Sequence, residues 1–185
     1  MQWLYCAGVV IWFPILRKLV SSYIPVELRK QVEVSDPGRI SFAARGRCCY
    51  CLTHAVVSGI DLSFDHILPK SKGGETTFAN ICLACRACNE FKSDLTEFAD
   101  PVTEAVVPLF NPRGQSWVEH FAWSEDGTQV EGLTVIGRAT VVALQINRAT
   151  VRAARRRWVS SGWHRPKIKA GYSNGNGSCI ARKFD

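Results

Sequence analysis

Six of the eight cysteines lie between Cys48 and Cys88, in two tight groups: Cys48, Cys49 and Cys51, then Cys82, Cys85 and Cys88. A disulfide framework spreads its cysteines across a small secreted chain. Two C-x-x-C pairs a few tens of residues apart instead suit a tetrahedral zinc site, where one tight turn offers two thiolates and a second turn closes the shell. Cys48-x-x-Cys51 has the required spacing and Cys49-x-Cys51 does not, while in the second group either overlapping pair fits. Four thiolates leave no open coordination position, so the implied zinc is structural. Cysteines kept as thiolates also imply a reducing, cytoplasmic compartment. Between and beside the groups stand Asp65-His66, Asn80, Asn89 and Lys92. Histidine is the side chain whose ordinary pKa lies nearest neutrality, which suits it to take a proton from water. A carboxylate and an amide oxygen are hard donors of the kind that hold Mg²⁺ or Mn²⁺. Taken singly, His66 reads as a satisfied structural histidine, Asp65 as a strand residue, and the two asparagines as turn or cap residues.

The elements that must position these residues follow from periodicity and turn signals. Ile60, Leu62 and Phe64 alternate with Asp61, Ser63 and Asp65 in a short strand that Pro69 stops, and Ser71-Lys72-Gly73-Gly74 makes a loop. Neighbours on a regular strand point to opposite faces, so the strand must twist or end at Asp65-His66 if both are to serve one site. A helical pattern runs from Arg86 to about Phe98 and puts Asn89 and Lys92, three apart, on one face, where Lys92 could support a phosphate. Upstream, Ser21 or Ser22 can cap a helix with Pro25 in its first turn and Val26, Leu28 and Val32 along it, ended by Ser35-Asp36-Pro37-Gly38. Downstream, Val102 to Gly114 is rich in turns, and Phe121–Trp123 with Gln129–Glu131 reads as a hairpin around Gly127. Residues 135–146 and 149–159 read as helices, with Arg152, Arg155 and Arg156 sharing a face of the second. The Gly/Asn/Ser-rich stretch from Gly171 to Ser178 reads as disordered.

A chain of 185 residues suits one compact domain with tails, and 46% hydrophobic with 21% charged residues excludes a wholly disordered polymer. The apolar run from Trp3 to Leu16 contains Pro14 and falls short of the ~20 residues a spanning helix needs. It also lacks the basic first segment and cleavage site of a secretory signal. Met1 is the only methionine and helix grammar starts near Ser21, so translation from a later, non-Met codon is the expectation, with a signal anchor as the alternative. Of the net charge of +7, none comes from residues 1–131, which carry 12 Lys/Arg against 15 Asp/Glu. Residues 132–184 hold 11 Lys/Arg and no acid, a one-signed segment that suits a polyanion, nucleic acid above all. A solvated helix face is the bland alternative.

The ordered set Cys48-x-x-Cys51, Asp65-His66-Ile67-Leu68-Pro69-Lys70-Ser71-Lys72-Gly73-Gly74, Asn80, Cys85-Arg86-Ala87-Cys88-Asn89 and Lys92 resembles the HNH endonuclease family. Pro108-Leu-Phe-Asn-Pro112, His120-Phe-x-Trp123 and Gly132-Leu-Thr-x-Ile-Gly-Arg-Ala-Thr140 resemble a bacterial subgroup of it, so the likeness covers roughly residues 21–165. It implies an α+β fold: a small ββα-metal core with a four-Cys zinc site, flanking helices and a basic C-terminal extension. The corresponding segments are an apolar stretch at 1–20, a nuclease core at 21–100, an extension at 101–165 and a tail at 166–185. By this resemblance His66 is the general base, Asp65 and Asn89 hold a catalytic Mg²⁺ or Mn²⁺, and Asn80 braces the loop. The C-x-x-C-N order selects Cys85 and Cys88 as zinc ligands beside Cys48 and Cys51. Cys49 and Cys82 are then buried bystanders, Cys6 and Cys179 incidental, and His54, His120 and His164 structural or surface residues. The implied partner is DNA, met through its phosphates by Lys70, Lys72, Lys92, Arg155, Arg156 and Arg157. A zinc-stabilised nucleic-acid-binding protein that does not cut is the alternative, and loss of His66 or Asp65 would have favoured it.

Overall fold

The computed structural model describes residues 24–34 and 46–163. The expectations about residues 1–20, the tail from 166 onward, Cys6, Cys179 and His164 lie outside them. The first helix, α1 (Val26–Val34), begins immediately after Pro25, whose carbonyl accepts from Arg29 N at 3.0 Å and so closes the first turn. Ile24 and Val32 bury against the core while the intervening charged residues face out.

The centre of the fold is an antiparallel hairpin followed by a helix. Strand β1 (Ser63–His66) pairs with β2 (Ile81–Ala84), Asp65 opposite Cys82 and His66 opposite Ile81, and α3 (Arg86–Lys92) packs against both. A short helix, α2 (Ala55–Ser58), precedes β1. The strand starts later than the alternation at Ile60 suggests and ends at His66, the place where the paired chemistry requires an end. The helix is shorter than its sequence pattern. It stops at Lys92 because Ser93, whose N–H still makes the last helical bond to Asn89 O, takes a positive φ of 46°.

Beyond it come a second hairpin, β3 (Glu97–Ala99) with β4 (Val106–Pro108), and a short helix α4 (Trp117–His120). A third hairpin, β5 (Phe121–Trp123) with β6 (Val130–Gly132), leads into α5 (Val135–Ala143) and α6 (Ala149–Ser160). The architecture is thus α+β, built on three two-stranded antiparallel hairpins among the described residues. The Gly132/Gly137 pair of the sequence motif has a steric cause. A Cβ on Gly137 would stand 2.1 Å from His120 O, and one on Gly132 would stand 2.3 Å from Arg138 N, so only glycines let α5 lie this close to the hairpin.

One core runs through the whole. Tyr50, Leu52 and Ile81 from the cysteine-rich half bury together with Phe110, Phe121, Val130, Leu144 and Ile146 from the other half. Trp117 Nε1 donates to Tyr50 O at 2.9 Å, and the Arg113 guanidinium donates to Ile81 O while lying 3.9 Å over the Phe78 ring. Arg138 grips the fully buried Asp100 with two bonds of 2.7 Å, joining α5 to the end of β3.

Candidate active site and metal centre

The two cysteine turns meet. The sulfurs of Cys48, Cys51, Cys85 and Cys88 all lie within 4.8 Å of one another, with Cys51 and Cys85 at 3.8 Å. Zinc–thiolate bonds of ~2.3 Å in a tetrahedron put neighbouring sulfurs about 3.8 Å apart, so the donor set fits Zn²⁺ both in chemistry and in size. The first turn is shaped by Leu52 N donating to Cys48 O, Cys48 N donating to Thr53 O, and a positive φ of 54° at Leu52. Its tie to the hairpin is Cys49 N donating to Leu83 O at 2.8 Å. The second turn is the entry to α3, with Cys85 at its N-cap and Cys88 one turn in. Burial opposes ionisation of Cys48, yet the thiols of Cys49, Cys51, Cys85 and Cys88 around it hold its pKa well below the ordinary value. Cys49 and Cys82 lie outside this cluster, buried with their sulfurs 2.9 Å apart.

The loop between β1 and β2 explains the spacing of its motif. Asn80 Oδ1 accepts from Leu68 N at 2.7 Å, and its Nδ2 donates to Leu68 O and Glu75 O at 2.9 and 2.8 Å. Gly73 has φ +84°, and a Cβ on Gly74 would fall 1.8 Å from Leu68 O. Asn80 therefore sits where a loop brace is needed, and the two glycines are forced by backbone conformation and close approach.

Asp65 and His66 face different surroundings. Asp65 is buried, its Oδ2 accepting from Tyr50 Oη at 2.8 Å, with Lys92 Nζ 3.3 Å away. Burial pushes its carboxyl pKa up, opposed by Lys92 and Tyr50. His66 is half-buried, and its Nε2 lies 2.9 Å from Thr76 Oγ1. Burial first, then the cations of Lys70 and Lys92, push its pKa down, which favours the neutral imidazole at neutral pH. Asn89 donates through Nδ2 to Ser63 Oγ at 2.9 Å, leaving its amide oxygen for another partner.

Two assignments are corrected. Lys92 is no exposed phosphate contact: it is 2% exposed, ion-paired with Asp65, and donates to His66 O at 2.7 Å. Arg155 is no phosphate contact either, because α6 turns it fully into the core. Lys70 and Lys72 are exposed in the loop after His66, and Arg156 and Arg157 are exposed on α6. His54 and His120 are structural, the first capping α2 through Nδ1 and the second bonded to Thr134 Oγ1 at 2.7 Å. Sequence reasoning missed Tyr50 and Thr76, the partners of Asp65 and His66. Neither belongs to a spaced pattern, since each finds its partner through the folded hairpin.

No curated protein and no solved structure matches the chain. Residues 48–95 match the family model of the HNH endonuclease, a span that opens on the first cluster cysteine and closes just beyond Lys92. Joined to the converging sulfurs and the braced hairpin, that match marks residues 48–95 as similar to an HNH endonuclease domain.

Proposed function

We propose that the protein is a metal-dependent endonuclease that hydrolyses phosphodiester bonds in DNA, with His66 as general base and a structural Zn²⁺ on Cys48, Cys51, Cys85 and Cys88. The observation that carries this reading is His66 itself: a half-buried imidazole at the end of β1, its pKa lowered, with an exposed lysine loop directly after it. Neutral imidazole can accept the proton of an attacking water, and Thr76 Oγ1 fixes the ring's orientation through Nε2. Lys70, near enough to depress His66, offers a cation for the phosphate being cut. Hard oxygen donors are offered by the Asp65 carboxylate and His66 O, both reached by Lys92 Nζ, and by the amide oxygen of Asn89, whose Nδ2 is held by Ser63. The Lys92 ammonium against the first two marks a place that favours positive charge. Asp65 and Asn89 would hold Mg²⁺ or Mn²⁺, which when bound supplies charge stabilisation for the pentacoordinate phosphate and the leaving oxygen. Lys92 and Tyr50 keep the carboxylate fixed in place.

The second reading is a non-cutting, zinc-stabilised nucleic-acid-binding protein. One observation favours it: the Asp65 carboxylate is already satisfied by Tyr50 and Lys92 and buried. Incubation of the purified chain with plasmid DNA and Mg²⁺ or Mn²⁺, with and without EDTA, separates the two. Divalent-dependent nicking that His66→Ala removes supports the first, and binding without nicking in either ion supports the second.

A further inference from the structure

Arg155 presents a charge problem. Its side chain is fully buried in the middle of α6, and a guanidinium does not deprotonate in a protein. A buried cation is costly unless an anion faces it. Among the described residues no carboxylate forms an ion pair with Arg155. Its Nη1 donates to Thr128 O and Asn147 Oδ1, at 3.3 and 3.2 Å, both neutral groups. The Trp123 ring, 5.1 Å from its centre, covers one face. Nε and Nη2 are buried and have no hydrogen-bond partner. The anionic neighbours that act on the guanidinium are sulfurs: Cys51, within hydrogen-bonding reach, and Cys88.

The metal centre has the complementary problem. Four thiolates around one divalent ion leave a net dianion inside the fold, and it needs donors and positive charge from outside the ligand set. We propose that Arg155 is that outer partner: its Nε–H and Nη2–H donate to metal-bound sulfur, so that α6 is fastened to the four-cysteine centre by a charge-assisted N–H···S contact. This rests on the metal reading above and extends it from four residues to five, the fifth lying 67 positions beyond Cys88 in the chain. It also gives the extension a task. The clasp of Asn147 on Val130, whose N–H donates to Asn147 Oδ1 at 2.9 Å and whose carbonyl accepts from Asn147 Nδ2 at 2.8 Å, aligns the hairpin β5–β6 with the start of α6. The same Asn147 Oδ1 receives Arg155 Nη1, so the guanidinium reaches the sulfurs already oriented.

The direct test uses the native chain loaded with NMR-active cadmium in place of zinc. A through-hydrogen-bond coupling between the metal and a slowly exchanging Arg155 side-chain N–H is expected; cadmium uptake with no such coupling overturns this inference alone. A chain that takes up neither zinc nor cadmium overturns the metal reading and this inference together. Arg155→Met should weaken metal binding in chelator competition by about 10–100-fold, the usual cost of losing an outer partner. It should also move the sulfur-to-metal charge-transfer band of the cobalt-loaded protein to lower energy, with Arg155→Lys restoring part of both. A purely packing role for Arg155 would lower thermal stability while leaving the band where it is, and that result sinks the proposal. If Arg155→Met does not fold, the coupling in the native chain and the band of Arg155→Lys decide.

Discussion

Two adjacent side chains, Asp65 and His66, carry the proposed chemistry, and strand geometry gives them unlike environments. His66 lies half-buried beside Thr76, whereas Asp65 lies buried between Tyr50 and Lys92. Replacing His66 by Ala should therefore lower nicking by about 10²–10⁴-fold, the usual contribution of a general base. Zinc content and DNA affinity should be nearly unchanged, since His66 is not a cluster ligand and carries no charge at neutral pH. Equal nicking by wild type and variant would refute the assignment. Lys92 makes a different prediction. Lys92→Met strands a buried carboxylate and should destabilise the fold by about 3–5 kcal/mol in denaturant unfolding. The pair exchange Asp65→Asn with Lys92→Met should be much milder, because no unpaired charge remains. If the single and double variants unfold alike, the ion pair has no structural weight.

At the scale of elements, the loop from Ile67 to Asn80 was legible from its residues, and the elements beyond α3 were less so. Pro69, Gly73, Gly74 and Asn80 are each fixed by a local backbone demand, so their spacing survives as a readable pattern. The end of α3 was not readable, because Ser93 adopts a positive-φ conformation that its type does not announce. Nor was β4, which lies in a turn-rich stretch and exists because Val106 to Pro108 pairs with β3. Arg155 shows the limit most plainly. Periodicity placed it correctly on a helix with Arg152 and Arg156, but which side of that helix faces the core depends on contacts with Asn147, eight positions back, and with Trp123 and Thr128, each more than twenty-five positions back. The loop brace can be tested. Asn80→Ala strips partners from Leu68 N, Leu68 O and Glu75 O, all reachable by water, and should cost about 0.5–1.5 kcal/mol. Gly74→Ala forces a backbone shift and should also lower the melting temperature. A Gly74→Ala protein of undiminished stability would show that the close approach to Leu68 is relaxed in solution.

Across the whole molecule, the cysteine-rich half and the later half are tied by the ion pair of Asp100 with Arg138 as well as by the shared core. Arg138 holds the Asp100 carboxyl well below the usual carboxylate range, helped by Thr103. A depressed carboxyl means that the unfolded chain binds the proton more readily. The stabilisation is thus present above the unfolded pKa of about 3.9 and is lost as pH falls from there toward the folded value. Arg138→Met should lower stability at pH 7 and flatten this acid limb, measured by melting temperature between pH 6 and pH 2. A variant retaining the wild-type slope in that range would assign the limb to other carboxyls, such as Asp126, held near a pKa of about 2 by Ser124 and Thr128.

The distribution of positive charge gives the prediction for DNA. With Arg155 buried in the core and Lys92 paired with Asp65, the cations left to meet phosphate among the proposed contacts are Lys70 and Lys72 beside His66, and Arg156 and Arg157 on α6. Phosphate contacts release counterions, so each one lost should flatten the plot of log affinity against log salt by roughly 0.9 on duplex DNA. Arg156→Gln with Arg157→Gln should weaken binding uniformly across sequences and reduce the slope by up to about twice that amount, while leaving the rate constant for cleavage of bound DNA unchanged. Lys70→Gln should reduce both, because Lys70 stands close enough to His66 to depress its pKa and so lies at the scissile phosphate in the proposed site. The salt series is run on intact plasmid for binding without divalent ion, then repeated as single-turnover nicking with Mg²⁺ or Mn²⁺. An unchanged slope in the α6 variant would make those arginines a solvated helix face, and an unchanged cleavage rate in Lys70→Gln would move the reacting phosphate away from the loop.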